Sequence, residues 1–293
     1  MKLSNLLPDI FFLKKQYKKR TGKKLDLKNP KTFNEKTQWL KLHDRSPLHT
    51  MISDKYAVRK YISKRIGSKY LIPLIFHTLD AEEIRAENLP NYPFIIKSNH
   101  DSSGGIIIRD KSKADWDSIR KKLKKLLSKN YYYHAREWQY KNIKPRIIVE
   151  KLLMDDAGNI PYDYKVFCFN GQVKFIEVDI NREKDHCINY YTPQWEKLPQ
   201  IWRGYKSGEN HNVPSPKKLD EMIYISETLS SDFPFLRVDL YILKEQIYFG
   251  ELTLSDSAGY GRFLEDWDEK LGDMLLLDYK HKNHSSSGKL PKI

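Results

Sequence analysis

The chain has 293 residues, of which 40% are hydrophobic and 31% are charged, and it contains two cysteines. No stretch approaches the roughly 20 consecutive apolar residues of a membrane span, and two cysteines cannot build a disulfide scaffold, so the composition excludes both protein classes. A mean hydropathy of −0.69 and an N-terminus without a signal-peptide pattern indicate a cytoplasmic protein.

The positive charge is concentrated at one end of the chain. Residues 1–70 hold 19 Lys and Arg against 5 Asp and Glu, so this region accounts for the whole net charge of +14. A localised positive field attracts nucleic acid, an anionic membrane face or an anionic polymer, and a solvated helical surface is the plain alternative. The sequence contains no nucleic-acid-binding signature, so we expect no nucleic-acid partner.

Residues 1–70 are predicted to form a basic helical N-terminal region. Over residues 3–20, apolar side chains recur at steps of three and four and are followed by basic residues. Such a helix fits peripheral contact with an anionic inner membrane face, but docking of its apolar stripe on the rest of the protein is favoured. Thr32 and Glu35 form a capping-box pattern that opens a second helix, and a third helix is predicted over residues 53–66.

From residue 71 onward the hydrophobic period changes to that of strands. Helices are predicted over 113–128, 216–230 and 268–277, and strands over 71–77, 93–97, 104–109, 146–153, 164–169, 173–180, 235–243 and 247–254. Hairpins mixed with helices predict an α+β fold rather than a doubly wound parallel sheet. We expect a small subdomain over 71–150, a larger one over 151–280 and a disordered tail over 281–293.

The last predicted hairpin brings two carboxylates together. With residues 244–246 as its loop, Asp239 faces Glu251 across the ribbon. Arg237 and Thr253 face each other on the same side. Two facing carboxylates repel each other, and a divalent cation with oxygen ligands would neutralise them. Screening of both acids by Arg237 or by a lysine on a solvated face is the alternative.

A loop of small residues follows the predicted strand that ends at Lys97. The segment SNHDSSGG contains Ser102, Ser103, Gly104 and Gly105. Backbone N–H groups of such a loop can wrap phosphate oxygens, and a nearby lysine adds a positive charge. The segment lacks the order of a Walker A loop, and a flexible surface loop is the alternative.

Two further strands carry candidate ligand groups. Around an Asn-Gly turn at 170–171, Lys165 is expected opposite Ile176 on a largely apolar face, where it either reaches solvent or contacts an anion. The strand around Glu150 can offer backbone groups to a flat base. For that segment alone, a plain core strand is the favoured interpretation.

The order of these pieces resembles the ATP-grasp superfamily, in which two α+β subdomains with antiparallel sheets clamp ATP. The segments TFNEKTQWLKLHDR, DKYAVRKY, YLIPLI, IIKSNHDSSGG, DYKVFCFNGQ and FGELTLSDSAGYGRF resemble the TupA-like ATP-grasp proteins of bacterial capsule and teichuronopeptide synthesis. The resemblance extends from about Lys31 to about Leu277, with the basic helical region at its N-terminal end.

The resemblance implies nucleotide-binding roles. Lys97 would contact the α- and β-phosphates of ATP, Lys165 would be the second phosphate lysine, and Arg237 would face the transferred phosphoryl group. The loop over the phosphates would consist of Ser102, Ser103, Gly104 and Gly105. The adenine would be met by the Glu150 carboxylate and by the backbone of Lys151 and Leu153.

The resemblance also implies a magnesium site. Asp239 and Glu251 would hold Mg²⁺. Thr253 stands where the superfamily usually has an Asn ligand, and it would offer a hydroxyl group in place of the amide.

The implied activity is an ADP-forming carboxylate–amine ligation. ATP phosphorylates a carboxylate, an amine attacks the acyl phosphate, and an amide forms. The implied partners are an amino acid or other amine and a uronic acid carried by an anionic glycan, a nucleotide sugar or a lipid-linked precursor. Phosphoryl transfer to a glycan hydroxyl and non-catalytic glycan binding are the alternatives.

Overall fold

The chain divides into two compact units. A computed structural model describes residues 6–102, 104–183 and 185–278. Unit 1 comprises Met1–Asp44, Tyr162–Tyr241 and Leu252–Ile293, and unit 2 comprises Arg45–Pro161 and Ile242–Glu251. The subdomain ranges drawn from the sequence stay predictions, and the predicted tail lies outside the described residues.

The helices follow the predicted pattern, with changes near the N-terminus. Those of the described residues are α1 (Asp9–Thr21), α2 (Phe33–His43), α3 (Pro47–Ser53), α4 (Val58–Arg65), α5 (Trp116–Leu127), α6 (Tyr132–Ala135), α7 (Leu219–Ser230) and α8 (Trp267–Met274). Helix α1 begins at Asp9 rather than at residue 3, because Pro8 occupies its N-cap and has no N–H to continue a helix on its N-terminal side. None of these helices combines the length and the apolar character needed to cross a membrane.

The predicted third helix is divided into α3 and α4. The Asp54 carboxylate accepts hydrogen bonds from the backbone N–H groups of Tyr56 and Ala57, which ends one helix and opens the next. The capping box of α2 is confirmed. The Thr32 hydroxyl accepts from the Glu35 N–H, and the Glu35 carboxylate accepts from the Thr32 N–H.

The strands form two sheets. They are β1 (Leu74–Thr78), β2 (Phe94–Ser98), β3 (Ile106–Ile108), β4 (Ile147–Lys151), β5 (Asp163–Phe169), β6 (Gln172–Ile180), β7 (Cys187–Tyr191), β8 (Lys197–Leu198), β9 (Lys206–Ser207), β10 (Phe235–Leu243) and β11 (Gln246–Thr253). The four-stranded sheet has the order β1-β4-β2-β3 and is antiparallel. The seven-stranded sheet has the order β11-β10-β5-β6-β7-β8, and β9 pairs in parallel with β7.

Each unit has its own hydrophobic core. In unit 2, α5 buries Ile119 and Leu123 in a cluster with the aliphatic side chains of β2 and β4. In unit 1 the core is rich in aromatic rings, and the Phe33 ring of α2 lies 5.0 Å from Phe235 and 5.8 Å from Phe169. These ring contacts fix α2 against the seven-stranded sheet.

A β-bulge in the β5–β6 hairpin changes which residue faces Lys165. The register shifts by one residue between Phe167 and Cys168. Lys165 therefore lies opposite Glu177, and the predicted pairing with Ile176 is wrong. The face that Lys165 occupies is charged rather than apolar.

The last hairpin has a shorter loop than predicted. Lys244 and Glu245 form a two-residue turn with φ of 49° and 63°, and Gln246 already belongs to β11. Buried positions alternate along β11 up to Phe249 and resume at Leu252, so the strand is irregular between them. The predicted loop over 244–246 is wrong, because the favoured two-residue turn needs only two left-handed residues.

Candidate functional site

In unit 2, three basic side chains lie against two acidic ones. This Lys97 cluster consists of Lys55, Arg59, Lys97, Glu150 and Glu251. Lys97 Nζ on β2 lies 3.0 Å from Glu150 Oε2 on β4, and Arg59 Nη1 on α4 lies 3.0 Å from Glu150 Oε1. Lys55 Nζ lies 3.2 Å from Glu251 Oε2. The cluster therefore has one more basic than acidic side chain.

Glu150 is buried, and each of its carboxylate oxygens meets a cation. The backbone beside it is also engaged, because the Lys151 N–H donates to the Pro73 carbonyl at 3.0 Å. Leu153 follows as a buried side chain. Within unit 2 the Glu150 carboxylate orients Lys97, and its role toward adenine stays a prediction.

Lys55 links the Glu251 carboxylate to the small-residue loop. Its Nζ donates to the Asp101 carbonyl at 2.6 Å as well as pairing with Glu251. Burial alone would lower the pKa of Lys55, but the Glu251 carboxylate outweighs that effect and the pKa is raised. Lys55 is therefore a fixed positive charge beside a predicted metal ligand.

The start of the small-residue loop is held by buried polar groups. Asn99 donates from Nδ2 to Asp54 Oδ1 at 2.8 Å and to the Lys144 carbonyl at 3.1 Å. The Asn99 carbonyl accepts from the Lys55 N–H at 2.9 Å. The α3–α4 connection thus sets the position of the loop where it leaves β2.

The rest of the loop depends on glycine. The Ser102 hydroxyl bonds to the Tyr131 hydroxyl, and Ser103 lies outside the described residues. Gly104 has a φ of +79°, which favours glycine. A Cβ on Gly105 would lie 2.5 Å from Ile95 Cδ1, so the returning backbone passes too close to β2 for a side chain.

In unit 1, an acidic group surrounds the second predicted phosphate lysine. This Lys165 cluster consists of Asp163, Lys165, Glu177, Asp179 and Arg182. Lys165 Nζ donates to Asp179 Oδ2 and lies 3.4 Å from Asp163 Oδ2. It also lies 3.6 Å from Glu177 Oε1, and Arg182 Nη1 donates to Asp163 Oδ2 at 2.6 Å. Here acidic side chains outnumber basic ones by one.

The pKa values in the Lys165 cluster reflect burial together with the neighbouring charges. Burial raises the pKa of Glu177 to about 7, although Lys165 opposes the shift. Burial alone would lower the pKa of Lys165, but Asp163, Glu177 and Asp179 outweigh it and the pKa rises. The lysine therefore stays protonated, while Glu177 releases its proton only near neutral pH.

Arg237 and Asp239 form a two-point ion pair on β10. Arg237 Nε donates to Asp239 Oδ1 at 2.7 Å, and Nη2 donates to Oδ2 at 2.8 Å. A third nitrogen of Arg237 donates to Asp256. Asp239 pairs in register with Lys165 on β5, so unit 1 brings Lys165, Arg237 and Asp239 to one face of its sheet.

The donor set fits magnesium bound together with phosphate. Within the described ranges, no group of three or more His, Cys, Asp or Glu side chains is arranged to hold a metal ion. Asp239 and Glu251 do offer carboxylate oxygens, each already paired with a basic side chain in its own unit. Mg²⁺ needs only one or two carboxylates when substrate phosphates complete its coordination, so a single carboxylate of either unit has the chemistry of a Mg²⁺ ligand. Thr253 ends β11 and is partly buried.

Several charged residues of these clusters are not found by sequence reasoning. The DKYAVRKY segment contains Lys55 and Arg59, yet only the tertiary contacts bring them to Glu251 and Glu150. Glu177 was not predicted as a neighbour of Lys165, because the register expected without the bulge puts it on the opposite face of the sheet. Ion pairs between segments that are far apart in the chain leave no local sequence pattern.

A polar cleft lies in the same sheet as Lys165. Strands β8 and β9 pair with opposite ends of one edge of β7, and its middle residue, Asn189, has no strand partner on that edge. A cavity of about 340 Å³ occupies this gap and is lined by Ile188, Asn189, Tyr190, Lys197, Leu198, Pro199, Gln200, Ser207 and Glu209. Tyr190 pairs with Glu177, which pairs with Lys165, so two strand spacings of about 4.8 Å separate the cleft from the lysine.

Sequence comparison gives one family. The model of the TupA-like ATPgrasp family matches residues 35–276. Among curated proteins no relative matches the chain.

Several solved structures resemble the fold. D-alanine–D-alanine ligase from Bacillus anthracis complexed with ATP is 15% identical, with a TM-score of 0.46 and coverage of 81% of this chain and 69% of that chain. The corresponding ligase from Helicobacter pylori is 14% identical, with a TM-score of 0.43 and coverage of 83% and 69%. An ADP complex of N5-carboxyaminoimidazole ribonucleotide synthetase is 15% identical, with a TM-score of 0.45 and coverage of 75% of this chain and 50% of that chain.

Proposed function

Because the chain belongs to the TupA-like ATP-grasp family and has its α+β fold, we propose that it is an ATP-dependent carboxylate–amine ligase. The observation that carries the proposal is the pair of lysine clusters. Lys97 and Lys165 each stand beside carboxylates on a β-strand, and each has a neighbouring arginine or lysine to exchange partners with. Phosphate is the ligand chemistry that each of these lysines fits.

The proposed reaction has two steps. A carboxylate oxygen of the substrate attacks the γ-phosphorus of ATP, the bond to the β-phosphate oxygen breaks, and ADP leaves. The amine nitrogen then attacks the acyl carbon, the carbon–oxygen bond to phosphate breaks, and the amine loses a proton as the amide and inorganic phosphate form. Neither step needs a nucleophilic side chain, so the protein contributes orientation and electrostatic stabilisation.

We assign the binding roles accordingly. Lys97, the 102–105 loop and Lys165 would bind the phosphates, and Glu150 with the Lys151–Leu153 backbone would meet the base. Arg237 would face the phosphoryl group during transfer. Asp239 and Glu251 would hold Mg²⁺, with Thr253 as a further hydroxyl donor, and the ion would neutralise phosphate charge.

Lys55 and Arg59 extend this assignment. Both are ion-paired to predicted ligand carboxylates, Glu251 and Glu150. When a nucleotide and its metal enter, the carboxylates gain a new cation and the two basic groups gain phosphate as a partner. The ion pairs therefore keep the acids neutralised before the ligand arrives.

For the substrates, we propose an amino acid or other amine and a uronic acid of a bacterial surface polysaccharide, as a nucleotide sugar, lipid-linked precursor or polymer. The reaction would take place in the cytoplasm, where ATP is available. The cleft beside β7 suits the sugar, because Gln200 and Ser207 in its lining have groups that donate and groups that accept hydrogen bonds, as sugar hydroxyl groups do. Lys197 in the same lining would pair with the uronate carboxylate.

The test is ADP release from MgATP, screened over uronic acids crossed with amines. The ligase proposal expects release that needs both substrates, with one amide formed per ADP. ADP formed with the sugar alone, together with a phosphorylated hydroxyl, would establish the phosphotransferase alternative. No ADP under any combination would leave glycan binding as the activity and overturn the proposal.

The metal and sugar assignments have their own readouts. MgATP should raise the melting temperature, and Glu251→Gln should remove the Mg²⁺-dependent part of that rise, because the nucleotide stabilises the folded state by mass action. Lys197→Ala should raise the KM for the uronate about tenfold and leave the KM for ATP unchanged, and the half-buried Lys174, which does not line the cleft, offers a Lys→Ala control. An unchanged shift or an unchanged KM would remove the respective assignment.

A further inference from the structure

Helix α1 has one docked half and one exposed half. Phe12, Leu13 and Tyr17 are buried in unit 1, and the Tyr17 ring lies 6.4 Å from the Tyr260 ring. At 100° per residue these positions share one half of the helix circumference. Of the recurring apolar side chains whose docking was favoured, Tyr17 is buried, but Leu6, Leu7, Ile10 and Phe11 are exposed. The docking prediction is therefore wrong for most of that stripe, and Phe12 and Leu13 take its place in the contact.

The other half of α1 keeps large apolar side chains in solvent. Ile10 and Phe11 are 40% and 64% exposed, and Leu6 and Leu7 just before the helix are 66% and 40% exposed. Of the eleven exposed large hydrophobic side chains in the described residues, four fall within residues 6–11. Scattered exposed apolar residues are normal on proteins, but a contiguous group of this kind marks an interaction site.

The same half of the helix continues as a basic surface. Lys14, Lys15 and Lys18 are all exposed, and their helical positions fall between or beside those of Ile10 and Phe11. The exposed half is thus apolar in its first turn and cationic in the next two. No acidic residue follows Asp9 within α1.

We propose that this exposed half, the α1 surface, binds the surface of an anionic lipid bilayer. It consists of Leu6, Leu7, Ile10, Phe11, Lys14, Lys15 and Lys18. The apolar side chains would enter the boundary between headgroups and acyl chains, while the lysines pair with anionic headgroups. The attachment proposed is to the bilayer surface, through side chains of one helix face.

Charge and apolarity together select this partner over others. An anionic glycan or a nucleic acid would use the lysines but would leave Phe11 and Ile10 in water. A second copy of the chain, docked through the same patch about a twofold axis, would bring lysines against lysines and be repelled. The surface of an anionic bilayer is the partner that can contact both the apolar side chains and the lysines.

The inference is independent of the ligase proposal, because it concerns binding without nucleotide. The full chain is mixed with vesicles of phosphatidylcholine alone or of equal parts phosphatidylcholine and phosphatidylglycerol, and the bound fraction is measured by flotation. Wild-type protein should float with the phosphatidylglycerol vesicles at low salt and be released as salt rises.

Two variants separate the apolar from the basic contribution. Replacement of Ile10 and Phe11 by Ser should lower the partition coefficient at least about tenfold. Replacement of Lys14, Lys15 and Lys18 by Glu should lower it about 100-fold or more. Their controls are Tyr224→Ser, an exposed aromatic residue on α7, and Lys121, Lys122 and Lys125 replaced by Glu on α5. All variants should keep the wild-type melting temperature, since none of the altered side chains is buried.

The outcomes decide between the partners. Binding that survives both α1 variants, or that is equal on neutral vesicles, would overturn the proposal. So would a dimer in solution that Phe11→Ser converts to a monomer, because the patch would then be a self-association surface. Flotation lost in the α1 variants and kept in both controls would support it.

Discussion

The two lysine clusters have opposite charge balances. The Lys97 cluster sets three basic side chains against two acidic ones, whereas the Lys165 cluster sets two against three. Both contain a lysine proposed to bind phosphate, but their responses to a phosphate differ. The first already has the surplus positive charge that an anion needs, and the second must release its lysine from carboxylates first.

A lysine proposed to bind phosphate can therefore be held in position in two ways. In unit 2 the lysine is paired with one carboxylate inside a cluster that has a surplus basic side chain, so part of the affinity would come from charge that is present before binding. In unit 1 the lysine is held inside a buried acidic group, so its fixed position is a consequence of folding. Changes to the acidic partners should therefore affect stability in unit 1, and changes to the basic partners should affect ligand binding in unit 2.

The largest expected effect is on the buried pair of unit 1. Asp179→Asn should lower the free energy of unfolding by about 3 kcal/mol, because Lys165 and Arg182 both lose a buried carboxylate partner, although Asp163 and Glu177 remain beside Lys165. Urea denaturation measures the change. Asp185→Asn is the matched control, since Asp185 pairs with Lys206 in solvent and its loss should be within error. Equal effects of the two variants would contradict the buried charge network.

The next effect is a pH dependence. The folded-state pKa of Glu177 is about 7, against an ordinary value of 4.5, so the folded state binds more protons between those values. Glu177 should therefore cost stability progressively as pH rises from about 4.5 to about 7, with a total of at most about 3 kcal/mol.

Glu177→Gln should remove this loss. The variant should gain stability relative to wild type as pH rises through that interval, and the difference should level off above about pH 7. Urea unfolding at several pH values checks it, with the exposed Glu209→Gln as control. A wild-type-to-variant difference that does not change with pH would show that burial does not raise the Glu177 pKa.

In unit 2 the expected effect is on the ligand. Lys97→Met should weaken MgATP binding about 10- to 100-fold, because a charge-assisted contact to phosphate is lost, and should cost less stability than Asp179→Asn, because Arg59 stays paired with Glu150. Calorimetric titration measures the dissociation constant. Lys113→Met removes a solvent-exposed lysine of the same unit and should bind MgATP normally. Unaltered binding by the Lys97 variant would remove the distinction between the clusters.

The smallest expected effect concerns the glycine next to β2. Gly105→Ala should lower the free energy of unfolding by about 1 kcal/mol, because the new Cβ meets the flexible end of Ile95. Adding Ile95→Val removes the Cδ1 atom and should restore part of the loss. A double variant no better than Gly105→Ala alone would show that the contact is not the cause.

Local sequence patterns predicted the elements that depend on neighbours in the chain. The Thr32–Glu35 capping box opens α2 as expected, and Asn170 and Gly171 both adopt the positive φ that a hairpin turn of their type requires. The apolar alternation of β10 likewise predicted that strand. Each of these features depends on residues within a few positions of one another.

Features decided by tertiary contacts could not be predicted in the same way. A one-residue bulge places Glu177 on the same face as Lys165, and no residue type in the hairpin predicts the bulge. Strands β8 and β9 are two residues long and exist only because β7 offers an edge. Arg59 pairs with Glu150 from 91 positions earlier in the chain, and Lys55 pairs with Glu251 from an even greater sequence distance, so periodicity cannot reveal these two contacts.

The most direct test of the proposed chemistry follows an oxygen atom. A uronic acid labelled with ¹⁸O in its carboxylate is incubated with MgATP, the amine and the protein, and the inorganic phosphate is analysed by mass spectrometry. Formation of an acyl phosphate predicts one ¹⁸O in each phosphate released, because the carboxylate oxygen leaves with it when the amide forms. Unlabelled phosphate accompanying amide formation would contradict carboxylate activation by ATP.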